Sequence, residues 1–181
     1  MNDDGLDRER EFFVTGVNTY LEVDDAIMEF RRLVEHKCRS VVSARLDEVN
    51  QECGMHWTVG DLNDYFEKAD DFHYIGKQME VKELGKLYFC LRLSREIDSN
   101  PIDAFVYLYR KQRDIATGLW EIAGASASVT YKGRNNLGFG QPIPKDKIPD
   151  FEDYLDKAVT GFLVFINKCG GLKKYLAPGP K

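Results

Sequence analysis

Lys86-Leu87-Tyr88-Phe89-Cys90-Leu91-Arg92-Leu93-Ser94, followed after a short break by Ile102-Asp103-Ala104-Phe105-Val106-Tyr107-Leu108-Tyr109-Arg110-Lys111-Gln112, is the stretch on which the fold turns. Leu87, Phe89, Leu91 and Leu93 alternate with Tyr88, Cys90, Arg92 and Ser94, the period of two that belongs to a strand. Asp98, Ser99, Asn100 and Pro101 then supply turn chemistry. The second run repeats the alternation, with Ile102, Ala104, Val106 and Leu108 on one side and Phe105, Tyr107 and Tyr109 on the other. The stretch predicts two adjacent antiparallel strands, with the remaining chain arranged to cover them.

C-terminal to this pair, Asp114 to Gly118 reads as a turn and Leu119 to Tyr131 as a further strand. Gly124 to Ser128 are all small, which would let a helix or a second chain approach closely and leaves a homodimer open. Lys132 to Ile148 reads as one long loop, with Gly133, Gly138, Gly140, Pro142 and Pro144 along it. A helix then opens at Pro149 and Asp150, with Phe151, Leu155, Ala158, Val159, Phe162, Leu163 and Ile166 on one face, and stops at Gly170-Gly171.

N-terminal to the pair, Phe72 to Val81 predicts a strand that Lys82 to Gly85 turns into the central one. Thr58 and Asp61 have capping-box spacing, and Leu62, Tyr65, Phe66 and Ala69 fit a short helix after it. Asp24 to Cys53 predicts one long helix. Ile27, Phe30, Leu33, Val34, Cys38, Val41, Val42, Leu46 and Val49 recur at steps of three and four, and Gly54 follows as a stop. Phe12 to Val23 fits either a first strand or the lead into a helix, and its Val, Thr and Phe content with the break at Gly16 favours the strand. Residues 1–11 and 177–181 read as flexible ends around one domain at 12–176. The fold class expected is α+β, an antiparallel sheet of four or five strands packed against a long helix in the N-terminal half and a C-terminal helix.

Composition narrows function by subtraction. The 181 residues carry a formal net charge of −5, and the 20 Phe and Tyr residues give ample material for a core. General nucleic-acid binding needs a basic face. The densest cluster, Arg92 to Arg95 with Arg110 to Arg113, is small and interrupted by Glu96 and Asp114. No run approaches the ~18 apolar residues of a membrane span, and Met1-Asn2-Asp3-Asp4 is not a secretory signal. Four widely spaced cysteines suit reduced thiols in a cytoplasmic protein.

Motifs that could carry chemistry are weak. His36, Cys38, Cys53 and His56 resemble zinc spacing, yet on one unbroken helix Cys38 and Cys53 would lie about 22 Å apart. Asp71 with Glu80-x-Lys82 resembles a nuclease pattern, yet a straight strand would separate the two carboxylates by about 30 Å. Gly133, Gly138 and Gly140 lack the Lys-Ser/Thr of a phosphate loop, and there is no nucleophile elbow. No catalytic residue, metal ligand or cofactor is assigned. The candidate binding residues are Tyr88, Arg92, Tyr107, Tyr109 and Trp120, gathered on the second face of the central strands. The expected function is a non-enzymatic interaction protein (inhibitor, immunity-type antagonist or adaptor) that binds a protein partner, without nucleic acid or membrane. The alternative is a small-ligand binder or atypical enzyme with a pocket between the long helix and a curved sheet.

Overall fold

A computed structural model describes residues 4–69, 72–94 and 102–176; for residues 4–10 and Lys145 it describes the backbone alone. The turn expected at Asp98 to Pro101, Asp71, and the tail at 177–181 lie outside the described residues. The chain forms two compact units, residues 1–33 and residues 34–181.

The first unit is the leading part of helix α1, Asp4–Ala44. Phe12 to Val23 is therefore helical, not a strand. Its β-branched residues disfavour a helix only by tenths of a kcal/mol each, and extending an existing helix needs no new nucleus. The apolar side chains of this stretch stand open, Phe12 at 81% and Tyr20 at 70% exposure.

The second unit begins where α1 becomes buried. Val34, Cys38, Val41 and Val42 enter the core on the three-four spacing that the sequence predicts. The long helix does not run on to Cys53. It breaks at Arg45, whose backbone sits at φ −109°, and α2 (Leu46–Cys53) restarts it. Arg45 spends its guanidinium on this corner, reaching Glu48 at 2.7 Å and Asp156 at 2.6 Å. Gly54 ends α2 in the left-handed region, φ 66°, as a helix stop requires.

Among the described residues six antiparallel strands follow: β1 (Asn63–Lys68), β2 (Phe72–Val81), β3 (Gly85–Ser94), β4 (Ile102–Arg110), β5 (Tyr131–Lys132) and β6 (Asn136–Pro142). Their order across the sheet is β1-β2-β3-β4-β6-β5. The α+β class with long helices on an antiparallel sheet holds, and the strand count is six where four or five are expected. Three local expectations change. Leu62 to Ala69 supplies β1, not a short helix. Leu119 to Tyr131 is not a strand: α3 (Thr117–Ala123) occupies its start, and Gly124 to Ser128 form turns. The long loop contains β6, paired to β4 through seven residues.

One face of the sheet meets α4 (Phe151–Lys168). Leu87, Phe89, Leu91, Val106, Leu108, Leu137 and Phe139 point to it and are buried with Leu155, Phe162 and Phe165. Phe139 packs its ring against Phe162 at 5.4 Å and Phe165 at 5.5 Å. The salt bridge from Lys37 to Glu152, 2.7 Å, ties the end of α1 to the start of α4.

Candidate functional site

The pleat sends every second residue of these strands to the opposite face. Register places Cys90 beside Gly76 and Phe105, and Phe105 beside Gly140. One pair further along, Tyr88 lies beside Tyr107, and Tyr107 beside Gly138. Tyr65 on β1 stands opposite Gly76. The glycines leave a low floor on which aromatic rings lie. A Cβ on Gly138 would come within 2.4 Å of the Phe105 ring, and one on Gly140 within 2.7 Å.

The rings form a connected row. Tyr65 and Tyr88 are 4.4 Å apart between centroids, Tyr88 and Tyr107 5.5 Å, and Phe105 and Tyr107 6.0 Å. Tyr74 joins from β2 at 6.4 Å from Tyr65. The helices of residues 34–176 pack on the other face, and Tyr65, Tyr74, Tyr88 and Tyr107 stay half-buried. Cys90 and Phe105 are fully buried beneath them, and the Cys90 thiol donates to the Phe105 carbonyl at 3.6 Å.

Electrostatically the patch is neutral phenol, with the Glu67 carboxylate at its rim beside Tyr65. The Tyr65 hydroxyl donates to Glu67. Burial, reinforced by that bond, pushes the Tyr65 phenol far up. Burial raises Tyr88 to about 12, with the nearby Glu67 carboxylate adding to it. Tyr107 is raised by burial as well. Cys90 is pushed up to about 12 by burial, against a small opposing pull from Arg92. A thiol held protonated in this way is a packing group and not a nucleophile. The phenols offer neutral donors and apolar rings.

Of the five candidate residues, the structure brings four to this face: Tyr88, Arg92, Tyr107 and Tyr109. Arg92 is already engaged. It pairs with Asp103 at 2.5 Å and lies between the rings of Phe72 and Phe105, 4.9 and 4.5 Å from their centroids. Tyr109 stands at the far end, opposite Lys86 and Asn136. Trp120 is a correction. It belongs to α3, is buried, donates to the Gly133 carbonyl at 3.3 Å, and carries the Arg110 guanidinium 4.2 Å over its ring. The residues missed are Tyr65, Glu67 and Tyr74. The alternation Asn63, Tyr65, Glu67 was visible, but Leu62, Tyr65, Phe66 and Ala69 also match a helical spacing.

The other motifs stay apart. Cys38 and Cys53 are buried at different places in the helix layer, and His36 and His56 are exposed. The separation expected on one unbroken helix does not apply, because the helix breaks at Arg45 between the two cysteines. Among the described residues, no group of three His, Cys, Asp or Glu side chains is placed to hold a metal ion. Glu80 spends its carboxylate on Lys86 at 3.5 Å and Lys111 at 3.9 Å. Among the described residues, no helix is long and apolar enough to cross a membrane.

Within residues 34–176, the fold and this face define an α+β unit whose antiparallel sheet is helix-covered on one side and lined by half-buried tyrosines on the other. No family model, no curated protein and no solved structure matches the chain.

Proposed function

We propose that the protein is a non-enzymatic binding protein that docks a protein partner on the tyrosine face of its sheet. The observation that supports this best is the Tyr65–Tyr88–Tyr107 row, three half-open rings from three strands in mutual contact. Tyrosine contributes large contact area with little rotamer entropy to lose, which is why it is enriched at binding hot spots. Glu67 lies at the rim and has no cationic partner among the described residues. The complementary segment therefore presents aliphatic side chains with an arginine or lysine, able to meet both the carboxylate and the ring faces. The alternative, a ligand pocket between the long helix and a curved sheet, is disfavoured within residues 34–176. There Val34, Cys38, Val41 and Val42 of α1 belong to one continuous buried core with Met79 and Leu87 of the sheet and Phe162 of α4.

A photo-reactive benzoylphenylalanine placed at Tyr107 tests the proposal in cells that make the protein. A discrete crosslinked species is expected from position 107 and not from the exposed helix position Lys157. The species should vanish when Tyr88→Ala is added, with the melting temperature lowered by only about 2–4 °C. Equal crosslinking from both positions, or none from Tyr107, removes the reading.

A further inference from the structure

A second site lies away from the tyrosine face, at the end of β4. Arg110, Arg113, Lys132 and Arg134 surround an open cleft of about 410 Å³, with Trp120 as one wall. One carboxylate, Glu121, shares the lining. A cluster of four cations is unexpected in a chain of net charge −5. Two come from the basic cluster that the sequence places at Arg110 to Arg113. The other two arrive from the β5–β6 turn, which only the fold brings there.

Arg110 is the anchor. It is 7% exposed, and its two terminal nitrogens donate to the carbonyls of Ile115 and Arg134, each at 3.0 Å. Its Nε is buried without a hydrogen-bond partner. Those carbonyls fix the guanidinium but do not cancel its charge, and among the described residues no carboxylate forms an ion pair with it. Burial, and then the neighbouring Arg113, lower its pKa, and Asp114 offsets this only in part. A buried cation with a second cation beside it is costly unless an anion completes the group. Arg113, Lys132 and Arg134 are exposed and likewise without ion pairs among the described residues. They form an exposed rim around the buried Arg110.

We propose that this cleft binds a small molecule through a phosphate group. A phosphate carries about −1.5 to −2 charges at pH 7 and three acceptor oxygens, which suits several converging guanidinium and ammonium donors. The Trp120 ring is covered by Arg110 on one face and buried, so the cleft offers no stacking platform for a base. Recognition rests on charge and hydrogen bonds.

The test uses the full chain with Trp57→Phe, which leaves Trp120 as its one tryptophan. Titration with inorganic phosphate and with pyrophosphate, at ionic strength matched by sodium chloride, is followed by fluorescence. In parallel, the ³¹P line width of phosphate is measured with the unaltered protein. A saturable response to both phosphates is expected, weakened at least tenfold in the Arg113→Gln/Arg134→Gln double variant and unchanged in Lys157→Gln. Both substituted arginines are exposed, so the double variant keeps its fold, which a thermal melt verifies. A response no larger than that of chloride, one matched by citrate, or one unaltered in the double variant overturns the proposal. None of these outcomes touches the tyrosine face, whose crosslinking test stands separately.

Discussion

The two faces of β3 and β4 come from the same residues in alternation, yet they are buried by different means. Leu87, Phe89 and Leu91 are covered by another layer, the α4 side chains Leu155, Phe162 and Phe165. Cys90 and Phe105 are as deeply buried on the other face, but there the cover is made by the sheet itself. Glycines at 76, 138 and 140 lower the floor, and Tyr65, Tyr88 and Tyr107 lean over it. The first arrangement consumes its apolar surface. The second leaves part of each ring exposed. A sheet face can thus be ordered and still free to bind, provided that its own rings protect the backbone.

The sharpest way to break this contrast is to truncate one ring on each face. Phe89→Ala should lose about 3–5 kcal/mol of stability, because it opens a cavity under a helix that cannot follow. Tyr88→Ala should lose roughly 1 kcal/mol, the order of an aromatic pair contact, while removing partner capture. Chemical denaturation of both variants decides it. Equal losses would mean that the tyrosine face is a second core.

A smaller effect is expected where the helix-covered face admits a charge. Lys77 points into it at 5% exposure and pairs with Asp64 on the edge strand β1. Asp64→Asn should cost about 1–3 kcal/mol by leaving a buried ammonium poorly satisfied. Adding Lys77→Met should recover most of that loss, since it removes the buried ammonium that the largely exposed Asp64 would no longer satisfy. A double variant no more stable than the single one would show that Lys77 serves some other purpose on that face.

The least effect near neutral pH concerns Cys90. Its thiol titrates near 12 in the folded chain and at about 8.5 when unfolded. The folded state therefore holds that proton more tightly, and the contribution is fully present below about pH 8.5. It is lost as pH rises through the folded value near 12. Denaturation midpoints should be flat from pH 7 to 8 and fall steadily above 9. Native protein at pH 8.5 should leave Cys90 unmodified by iodoacetamide, and rapid alkylation there would show that the tyrosine cover opens readily.

The alternation in β3 and β4, the three-four spacing of α4 and the stop at Gly54 were legible because each follows from local geometry. The failures share a cause. Gly138 and Gly140 look like loop residues until the Phe105 ring is seen to need the space that their missing side chains leave. Trp120 reads as part of a strand because no local signal points to Arg110, which packs on it from ten residues away. Tyr65 fits a helical spacing and a strand equally, and pairing with Gly76 decides between them.

By itself, then, the order of residues determined the α+β class, the central strand pair and which of its residues share a face, because side-chain period is a property of the backbone. Tertiary structure decided the rest. It added β1, β5 and β6 to the strands read from the sequence, broke the long helix at Arg45, and covered one face of the sheet within residues 34–176 while leaving the other less covered. It also gathered four cations around a single cleft. Those outcomes depend on contacts between residues far apart in the chain, and no local spacing encodes them.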